Sequence, residues 1–390
     1  MTPAARIQAA IDILSADSAQ PIDRYLKAWF RDHRFAGSKD RRAITERVYA
    51  ILRRHAHLAH RMGTDEPRAL AIASLLAEGE NPETVFSGGY GPAPLTQSER
   101  AAIAATPASE PSWVAGEYPK WLEAELIRAF GARLPEEMKA FQDRAPVDLR
   151  VNTLKAKRDE VLAALRADGF ECVPLDDLLD AIRCSPGAAL TAHPLYESGA
   201  FEIQDASAQK AVGLCEAKPG MRVLDLAAGA GGKSLALAAA MRNQGEIVAS
   251  DIRGAALFEL ERRAVRAGIT IIRTCILGAL PAGPFDLVLL DAPCGGSGTW
   301  RRQPELKWRL TPEQLAQRTA LQDTLLAQAA SVAASRLVYA TCSVLPCENQ
   351  DRIQAFLAAN PAFGRVRPDF HASPASGGGD GFYAAVLAHG

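Results

Sequence analysis

The chain has no CxxC pair, no apolar run of membrane-spanning length and no excess of charge of either sign. Each absence narrows the reading. Seven cysteines (172, 184, 215, 275, 294, 342 and 347) are scattered over 390 residues. Their spacing matches neither a disulfide framework nor a zinc site. Four residues separate Cys342 from Cys347, but no second pair accompanies them. A reduced, cytoplasmic protein without a metal is expected. No run approaches the roughly 20 apolar residues of a membrane span. The opening MTPAARIQAAIDIL lacks a long apolar core and a cleavage site, so neither leader nor membrane contact is expected. Lys and Arg number 44 against 45 acidic residues, so composition alone does not announce a nucleic-acid partner. No fixed-period repeat occurs, and only SGGG near Ser376 is of low complexity. What remains, 48% hydrophobic and 23% charged, is an ordinary soluble globular composition long enough for two or three domains.

The pattern along the chain divides it. Residues 1–145 read as all-helical. Ala5–Leu14, Ile22–Phe30, Arg41–His60, Pro67–Glu78 and Pro119–Phe130 carry apolar residues at three-four spacing, and strand-like alternation is scarce. Gly88–Pro94 is a loop. Residues 146–205 read as a small α/β subdomain: strand VDLRVNT, helix RDEVLAALRADG, then short strands ECVPL and AIRCS. From 206 to 390, strands MRVLDLA, EIVASDI, ITIIRT, FDLVLLDAP and RLVYATC alternate with helices Lys233–Arg242, Ala255–Ala267 and Pro312–Ser331. That alternation predicts a parallel, doubly wound, Rossmann-like sheet.

Such a sheet binds ligands beyond the carboxyl ends of its strands. Three sequence features fall there. The first is the Gly-rich turn in VLDLAAGAGGKS: Asp225 ends a strand, and Gly229, Gly231 and Gly232 let the backbone bend and approach a ligand closely. The helix that follows offers free N–H groups. Asp251, about twenty residues on, can hydrogen-bond a ribose hydroxyl. This suits a dinucleotide or S-adenosylmethionine equally. It is not a P-loop, because the required spacing between the glycines and GK[ST] is missing.

The other two features are Cys294 in DAPCGGSGTWRRQPELKW and Cys342 in YATCSVLPCENQ, each after a predicted strand. Either cysteine alone is commonly a small buried hydrophobe. Two of them facing a nucleotide-type loop suit carbon methylation of a pyrimidine. Carbon 5 of cytosine is a poor nucleophile. Thiolate attack at carbon 6 makes it enamine-like, so that it can accept a methyl group. The ring nitrogen at position 3 must gain positive character, and Asp291, three residues before Cys294, can hold or donate that proton. A free thiol titrates at about 8.5, so the attacking cysteine needs activation by Lys233 or a helix N-terminus.

At these residues the chain resembles the Sun-type RNA (cytosine-5)-methyltransferases, most closely the branch that methylates small-subunit ribosomal RNA. The family's D-x-C-A-A-P-G-G-K-T appears as DLAAGAGGKS, with Ala227 for the Cys and Ala230 for the Pro. DAPCS-G-x-G-x-x-R-R-x-P appears as Asp291–Pro304, with Gly295 for the Ser. YSTCS appears as Tyr339–Ser343, RVN as Arg150–Asn152, QDxSSQ as Gln204–Gln209 and DGFF as Asp380–Tyr383. The resemblance implies a Rossmann-like methyltransferase domain, an RRM-like subdomain and a NusB-like helical domain. It makes Cys342 the nucleophile and gives Cys294 the release of the product. It assigns S-adenosylmethionine to Ala227, Ala228, Gly229, Ala230, Gly231, Gly232, Lys233, Asp251 and Asp291. One departure stands out. Relatives carry an acid after strand three, but Ile271–Leu280 holds none, so adenosine contact near Thr274–Cys275 is expected to be less polar.

RNA is the expected partner of a monomeric protein. Eleven Lys/Arg and three acids lie between Arg24 and Arg61. Such a run is either a solvated helix face or a phosphate-binding face. The NusB-like resemblance, carried by Lys39–Arg42 and ITERVYAILRR, favours the second. Expected RNA contacts are Arg41, Arg42, Arg150, Asn152, Arg301 and Arg302, the last two clamping a phosphate and stacking on a base. His55, His57 and His60 read as a solvated face. A fragment starting near Ala145 is expected to keep cofactor binding and lose RNA affinity. The rival readings are a transfer-RNA cytosine-5 methyltransferase and a catalytically silent RNA-binding assembly factor. The second leaves both thiols unexplained.

Overall fold

The computed structural model describes residues 1–16 and 20–389; Gly390, which closes the last expected domain, lies outside them. The chain forms two compact units. One comprises Met1–Ile127, Ala132–Asp143 and Trp300–Arg309, the other Arg128–Gly131, Arg144–Thr299 and Leu310–Gly390.

The first unit is helical. Helices Pro3–Leu14, Ile22–Asp32, Ser38–Arg53, His55–Met62 and Pro67–Ala77 bury Ile7, Ile11, Ile44, Val48, Ile51, Leu70 and Ile72. The long helix expected over Arg41–His60 is broken at Arg54 (φ −112°, ψ 26°). The cause is local. The Glu117 carboxylate accepts the N–H groups of Ala56 and His57, capping a new helix where the old one would have continued. Expected helix Pro119–Phe130 opens as a 3-10 turn, Lys120–Leu122, before Glu123–Phe130.

Trp300–Arg309 packs in this helical unit, although its sequence lies among the methyltransferase motifs. Trp300 is fully buried with its ring 5.7 Å from Phe141. Trp308 donates its indole N–H to the Leu52 carbonyl (3.2 Å), and Glu305 accepts the Ile22 N–H (3.1 Å). Lys307 is buried too. Burial pulls its ammonium down to about 8, and burial pushes the Glu117 carboxyl up to about 7, each tempered by the other's charge.

The second unit holds two sheets. Strands β1 (Val147–Val151), β2 (Cys172–Pro174), β3 (Ala181–Cys184) and β4 (Phe201–Ile203) form an antiparallel sheet in the order β2-β3-β1-β4, with helix Arg158–Ala167 between β1 and β2. The β2–β3 register sets Cys172 opposite Cys184, and a disulfide joins them. The expectation of a fully reduced chain fails here, because adjacency across a register cannot be read from a spacing of twelve.

Strands β5 (Arg222–Leu226), β6 (Glu246–Asp251), β7 (Ile272–Ile276), β8 (Phe285–Asp291), β9 (Ala333–Thr341), β10 (Phe363–Arg365), β11 (Phe370–Ala372) and β12 (Phe382–His389) form the second sheet. Its order is β10-β12-β9-β8-β5-β6-β7, with β11 also on β12. Strands β5 to β9 are parallel, and β12 is antiparallel to β9. The strand order reverses between β5 and β8, the point at which a doubly wound sheet opens a crevice. Both faces are covered, so the central strands read as continuous apolar runs rather than alternation. Leu287 and Leu289 of β8 pack with Leu235, Leu257 and Leu260 on one face. Val288 and Leu290 pack with Leu326 and Tyr339 on the other. This is the Rossmann-like α/β architecture expected from the alternation.

Candidate active site

The turn after β5 has two positions with left-handed backbone that matter. Ala227 (φ 65°) turns the chain out of the strand, and Gly231 (φ 78°) turns it into helix Gly232–Ala240. A Cβ on Gly231 would lie 2.3 Å from Leu260 Cγ, so only glycine lets this turn pack on its neighbour. Between them, Ala228 N–H bonds the Ser250 carbonyl (2.8 Å) and Gly229 N–H bonds Asp251 Oδ2 (2.8 Å). The turn is thereby tied to the end of β6.

Asp251 is nearly buried and also accepts from Arg253, through its backbone N–H (2.8 Å) and its guanidinium (3.0 Å). Burial works to raise its carboxyl, but Arg253 and the two backbone bonds hold it below the usual range. Asp225 is more confined. Its Oδ2 accepts from Ser234 Oγ (2.5 Å), while Oδ1 is buried with no hydrogen-bond partner among the described residues. Burial above all, tempered by Ser234 and aided by the charge of Asp291, pushes its carboxyl up to about 7.

Lys233 reaches across to β8. Its Nζ donates to Asp291 Oδ2 at 2.6 Å and lies 5.1 Å from the Phe382 ring centre. Burial favours the neutral amine, but the Asp291 carboxylate, with Cys342 and Asp225 behind it, outweighs that and raises the Lys233 ammonium above its ordinary value. Beyond Asp291, Cys294 Sγ lies 3.4 Å from Cys342 Sγ. Two loops from the ends of neighbouring strands β8 and β9 have met. They are locked together: Ser297 Oγ contacts Ser343 Oγ (2.9 Å) and accepts the Val344 N–H, and Gly298 N–H bonds the Cys342 carbonyl (2.9 Å). Gly381, in the closing DGFY segment, donates to the Gly298 carbonyl, where a Cβ on Gly298 would lie 1.9 Å from the Gly381 oxygen. The Cys294 thiol is held well above an ordinary thiol, first by its hydrogen bond to Cys342, then by burial, the charge of Cys342 and that of Glu348.

This places Lys233, Asp291, Cys294 and Cys342 in one linked group, with Ala227–Gly232 and Asp251 joined through the turn. The expected RNA contacts divide. Arg41 and Arg42 are exposed on helix Ser38–Arg53. Arg150 and Asn152 are buried and serve packing. Arg150 donates to Gln204 Oε1 (2.7 Å) and the Gly232 carbonyl (2.9 Å), and Asn152 bridges the Gly199 and Ala267 carbonyls. Neither has surface left for a phosphate, so the RNA role expected for them is withdrawn. The same holds for Arg301, only 5% exposed in the helical unit; Arg302 is half-buried beside it. His55 stacks on Trp308 (4.5 Å) rather than facing solvent. Among the described residues no group of His, Cys, Asp and Glu could hold a metal, and no helix is long and apolar enough to cross a membrane.

Comparisons with known proteins identify the family. A family profile described as 16S rRNA methyltransferase RsmB/F matches residues 213–388, and one described as an RsmF/B-like ferredoxin-like domain matches residues 118–189. The chain belongs to the RsmB/F family. This is a family of S-adenosylmethionine-dependent RNA cytosine-5 methyltransferases. The ribosomal RNA small subunit methyltransferase B of Klebsiella pneumoniae is 35% identical over 288 residues, covering 69% of this chain and 65% of its own length. The probable counterpart from Bacillus subtilis is 32% identical, covering 63% and 57%. The match thus spans under two thirds of these relatives. The crystal structure of PH0851 is similar at a TM-score of 0.82 and 26% identity over 99% of both chains. A methyltransferase homolog from Pyrococcus horikoshii gives 0.64 at 26% identity, over 72% of this chain and all of its own.

The residues present fit the family's cofactor. The turn packs so closely at Gly231 that a Cβ there would meet Leu260, Asp251 stands at the end of β6, and Asp225 keeps a buried oxygen without a hydrogen-bond partner among the described residues. Asp251 is in register with Ile276 of β7, which is 66% exposed, whereas Cys275 packs against the apolar core. An apolar side chain therefore occupies the β7 position in register with Asp251.

Proposed function

We propose that this chain methylates carbon 5 of cytosine in RNA through a covalent Cys342 adduct, and that its substrate is small-subunit ribosomal RNA. The observation that carries the reading is the 3.4 Å approach of the two thiols beside the Lys233–Asp291 pair. A binding module has no use for either. Bound S-adenosylmethionine supplies an electrophilic methyl group, held by Ala227–Lys233 and Asp251. Lys233 provides the counter-charge for a thiolate at Cys342, whose sulfur adds to carbon 6 of the base. Asp291 shares a proton with the ring nitrogen as electrons move onto it. After methylation, Cys294 gives up its own proton to solvent and, as the thiolate, takes the proton from carbon 5. The C–H pair forms the new double bond, and the carbon 6–sulfur pair leaves with Cys342. Adduct formation takes away the Cys342 hydrogen bond, the first of the influences that hold the proton on Cys294, and with it the Cys342 charge.

The ribosomal substrate is supported by the names of the relatives. The helical unit supports RNA binding through Arg24, Lys27, Arg31, Arg34, Lys39, Arg41, Arg42 and Arg54, all exposed. We infer a monomer acting in the cytoplasm on naked or partly assembled RNA, since a base inside a mature subunit is hard to extrude. The test is a pair of variants. Cys342→Ala abolishes methyl transfer and leaves S-adenosylmethionine binding intact. Cys294→Ala traps the enzyme on RNA as a slow, RNase-sensitive band on a denaturing gel. Turnover by purified Cys342→Ala would overturn the assignment. Bisulfite sequencing of RNA from a deletion strain identifies the base and separates ribosomal from transfer RNA.

A further inference from the structure

The peptide groups around Cys294 are held from outside their own loop. Helix Pro312–Val332 supplies two of the ties: Arg318 Nη1 donates to the Cys294 carbonyl (2.8 Å), and Gln322 Nε2 donates to the Pro293 carbonyl (2.9 Å). The third comes from the loop of the other cysteine. Glu348, six residues after Cys342, turns its carboxylate back so that Oε1 accepts the Gly295 N–H at 2.7 Å. Gln322 Nε2 braces the same oxygen at 3.1 Å. Glu348 is fully buried, and its own backbone is fixed by Tyr339, whose hydroxyl donates to the Glu348 carbonyl at 2.7 Å. The next residue, Asn349, is tied to Thr341 (2.5 Å) and to the Ser343 carbonyl (2.9 Å) on either side of Cys342.

Glu348 is therefore the side chain through which the Cys342 loop grips the residue next to Cys294. Burying a carboxyl this deeply is costly unless it is hydrogen-bonded, and here Gly295 and Gln322 supply the bonds. Its cost is visible: burial raises the Glu348 carboxyl above its usual range, against Ser343, Gly295 and Gln322. Gly295 fits the arrangement, because a Cβ there would stand 3.1 Å from Glu348 Oε2 and as close to Leu310.

We infer that Glu348, braced by Gln322, is the positioning residue for Cys294 in product release. It touches neither base nor cofactor in this role. It fixes where the Cys294 sulfur stands relative to the Cys342 adduct. The inference rests on the release role proposed above for Cys294.

The experiment compares full-length Cys294→Ala, Glu348→Ala, Glu348→Gln and Gln322→Ala on an unmodified ribosomal RNA fragment with labelled S-adenosylmethionine. Three readouts are taken: the first-turnover methyl burst, the steady-state rate, and the RNA adduct that survives denaturation. Misplacing a reacting group by about 1 Å costs roughly 10²-fold. Glu348→Ala is therefore expected to keep its burst, lose roughly 10²-fold in steady-state rate and accumulate adduct. Glu348→Gln retains an oxygen for the Gly295 N–H and restores turnover. Gln322→Ala gives the same adduct more weakly, and it stands in if Glu348→Ala does not fold. Burst and steady state falling together without adduct, in whichever of Glu348→Ala and Gln322→Ala folds, would mark a merely structural role and overturn the inference. So would normal turnover. If Cys294→Ala itself leaves no adduct, the release reading falls, and this inference with it. If Cys294→Ala traps RNA and the other variants do not, only the role of Glu348 falls.

Discussion

Asp225→Asn tests how the cofactor end of the sheet is built. Asp225 is buried, and its carboxyl is pushed from 3.8 up to about 7, chiefly by burial. The sign follows from proton counts. Between those two values the folded chain holds a proton on Asp225 that the unfolded chain has lost, so stability falls as pH rises from about 4 to about 7 and levels off above. The whole interval corresponds to about 4 kcal/mol. At pH 5 only about 1.7 kcal/mol of it is in force, and at pH 8 nearly all. Asparagine keeps the shape and an acceptor for Ser234 but never ionises. Any cost of its amide facing the place of the unpartnered Oδ1 is the same at every pH. The gap in unfolding free energy between Asp225→Asn and the unaltered protein is thus expected to move by about 2.5 kcal/mol in favour of asparagine between pH 5 and pH 8. Urea unfolding across that range measures it. Parallel stability curves would refute the reasoning, because they would mean that the buried carboxyl does not hold its proton.

Charge reversal of Arg41 and Arg42 together should weaken RNA binding and flatten its logarithmic salt dependence by about 1.5 to 2, the contribution of two phosphate contacts. Reversal also removes the Arg41 bond to the Ala36 carbonyl and the exposed Arg42–Glu46 pair, so circular dichroism and thermal melting are the control for helix stability. An unchanged salt slope would move RNA binding off this face. Ile276→Asp should strengthen S-adenosylmethionine binding or leave it unchanged, by placing an acid beside Asp251; a large loss of affinity by calorimetry would show that the apolar contact matters. Cys275→Asp should destabilise the protein instead, because that side chain packs in the core.

The sheet was legible because its strands are buried on both faces and its connections are short. The apolar runs ending at Asp225, Asp251, Asp291 and Thr341 marked four parallel strands directly. Strand β12 was harder. Phe382–His389 pairs antiparallel with β9 across more than forty residues, and it carries no turn signal that links it to that partner. That Cys294 and Cys342 share one edge of the sheet was legible, since both follow strands of a parallel sheet, but their 3.4 Å approach was not. Nor was Glu348. Its sequence context reads as a polar turn, and only the fold shows the carboxylate turned inward onto Gly295. Arg150 and Asn152 were misread for the same reason. A buried Arg that ties down a turn and an exposed Arg that binds phosphate are one letter in a sequence.

Arg301 and Trp300 show the deeper limit. They follow DAPC by a few residues, so linear proximity put them at the rim of the site. The chain instead leaves the methyltransferase unit at Thr299 and packs Trp300–Arg309 among the N-terminal helices, returning at Leu310. Trp300, Glu305 and Lys307 are all buried there, and two of them are ionisable groups. A fully buried indole with an ionisable pair at Lys307 and Glu117 is not a surface feature that tolerates loss of its surroundings. A fragment starting near Ala145 would lack Glu117, Phe141 and Leu52, the groups that Lys307, Trp300 and Trp308 meet. Without Glu117 the buried Lys307 ammonium loses the charge that offsets its burial, and Trp300 and Trp308 lose the groups they pack against. Such a fragment is expected to aggregate or to lose order in the segment that follows Cys294, measurable as protease cleavage between Trp300 and Arg309. Protection of that segment in a soluble fragment would show that it packs independently of the helices. A loss of activity on truncation would therefore have two causes, RNA affinity and the integrity of the segment after Cys294, and the charge reversal at Arg41 and Arg42 isolates the first.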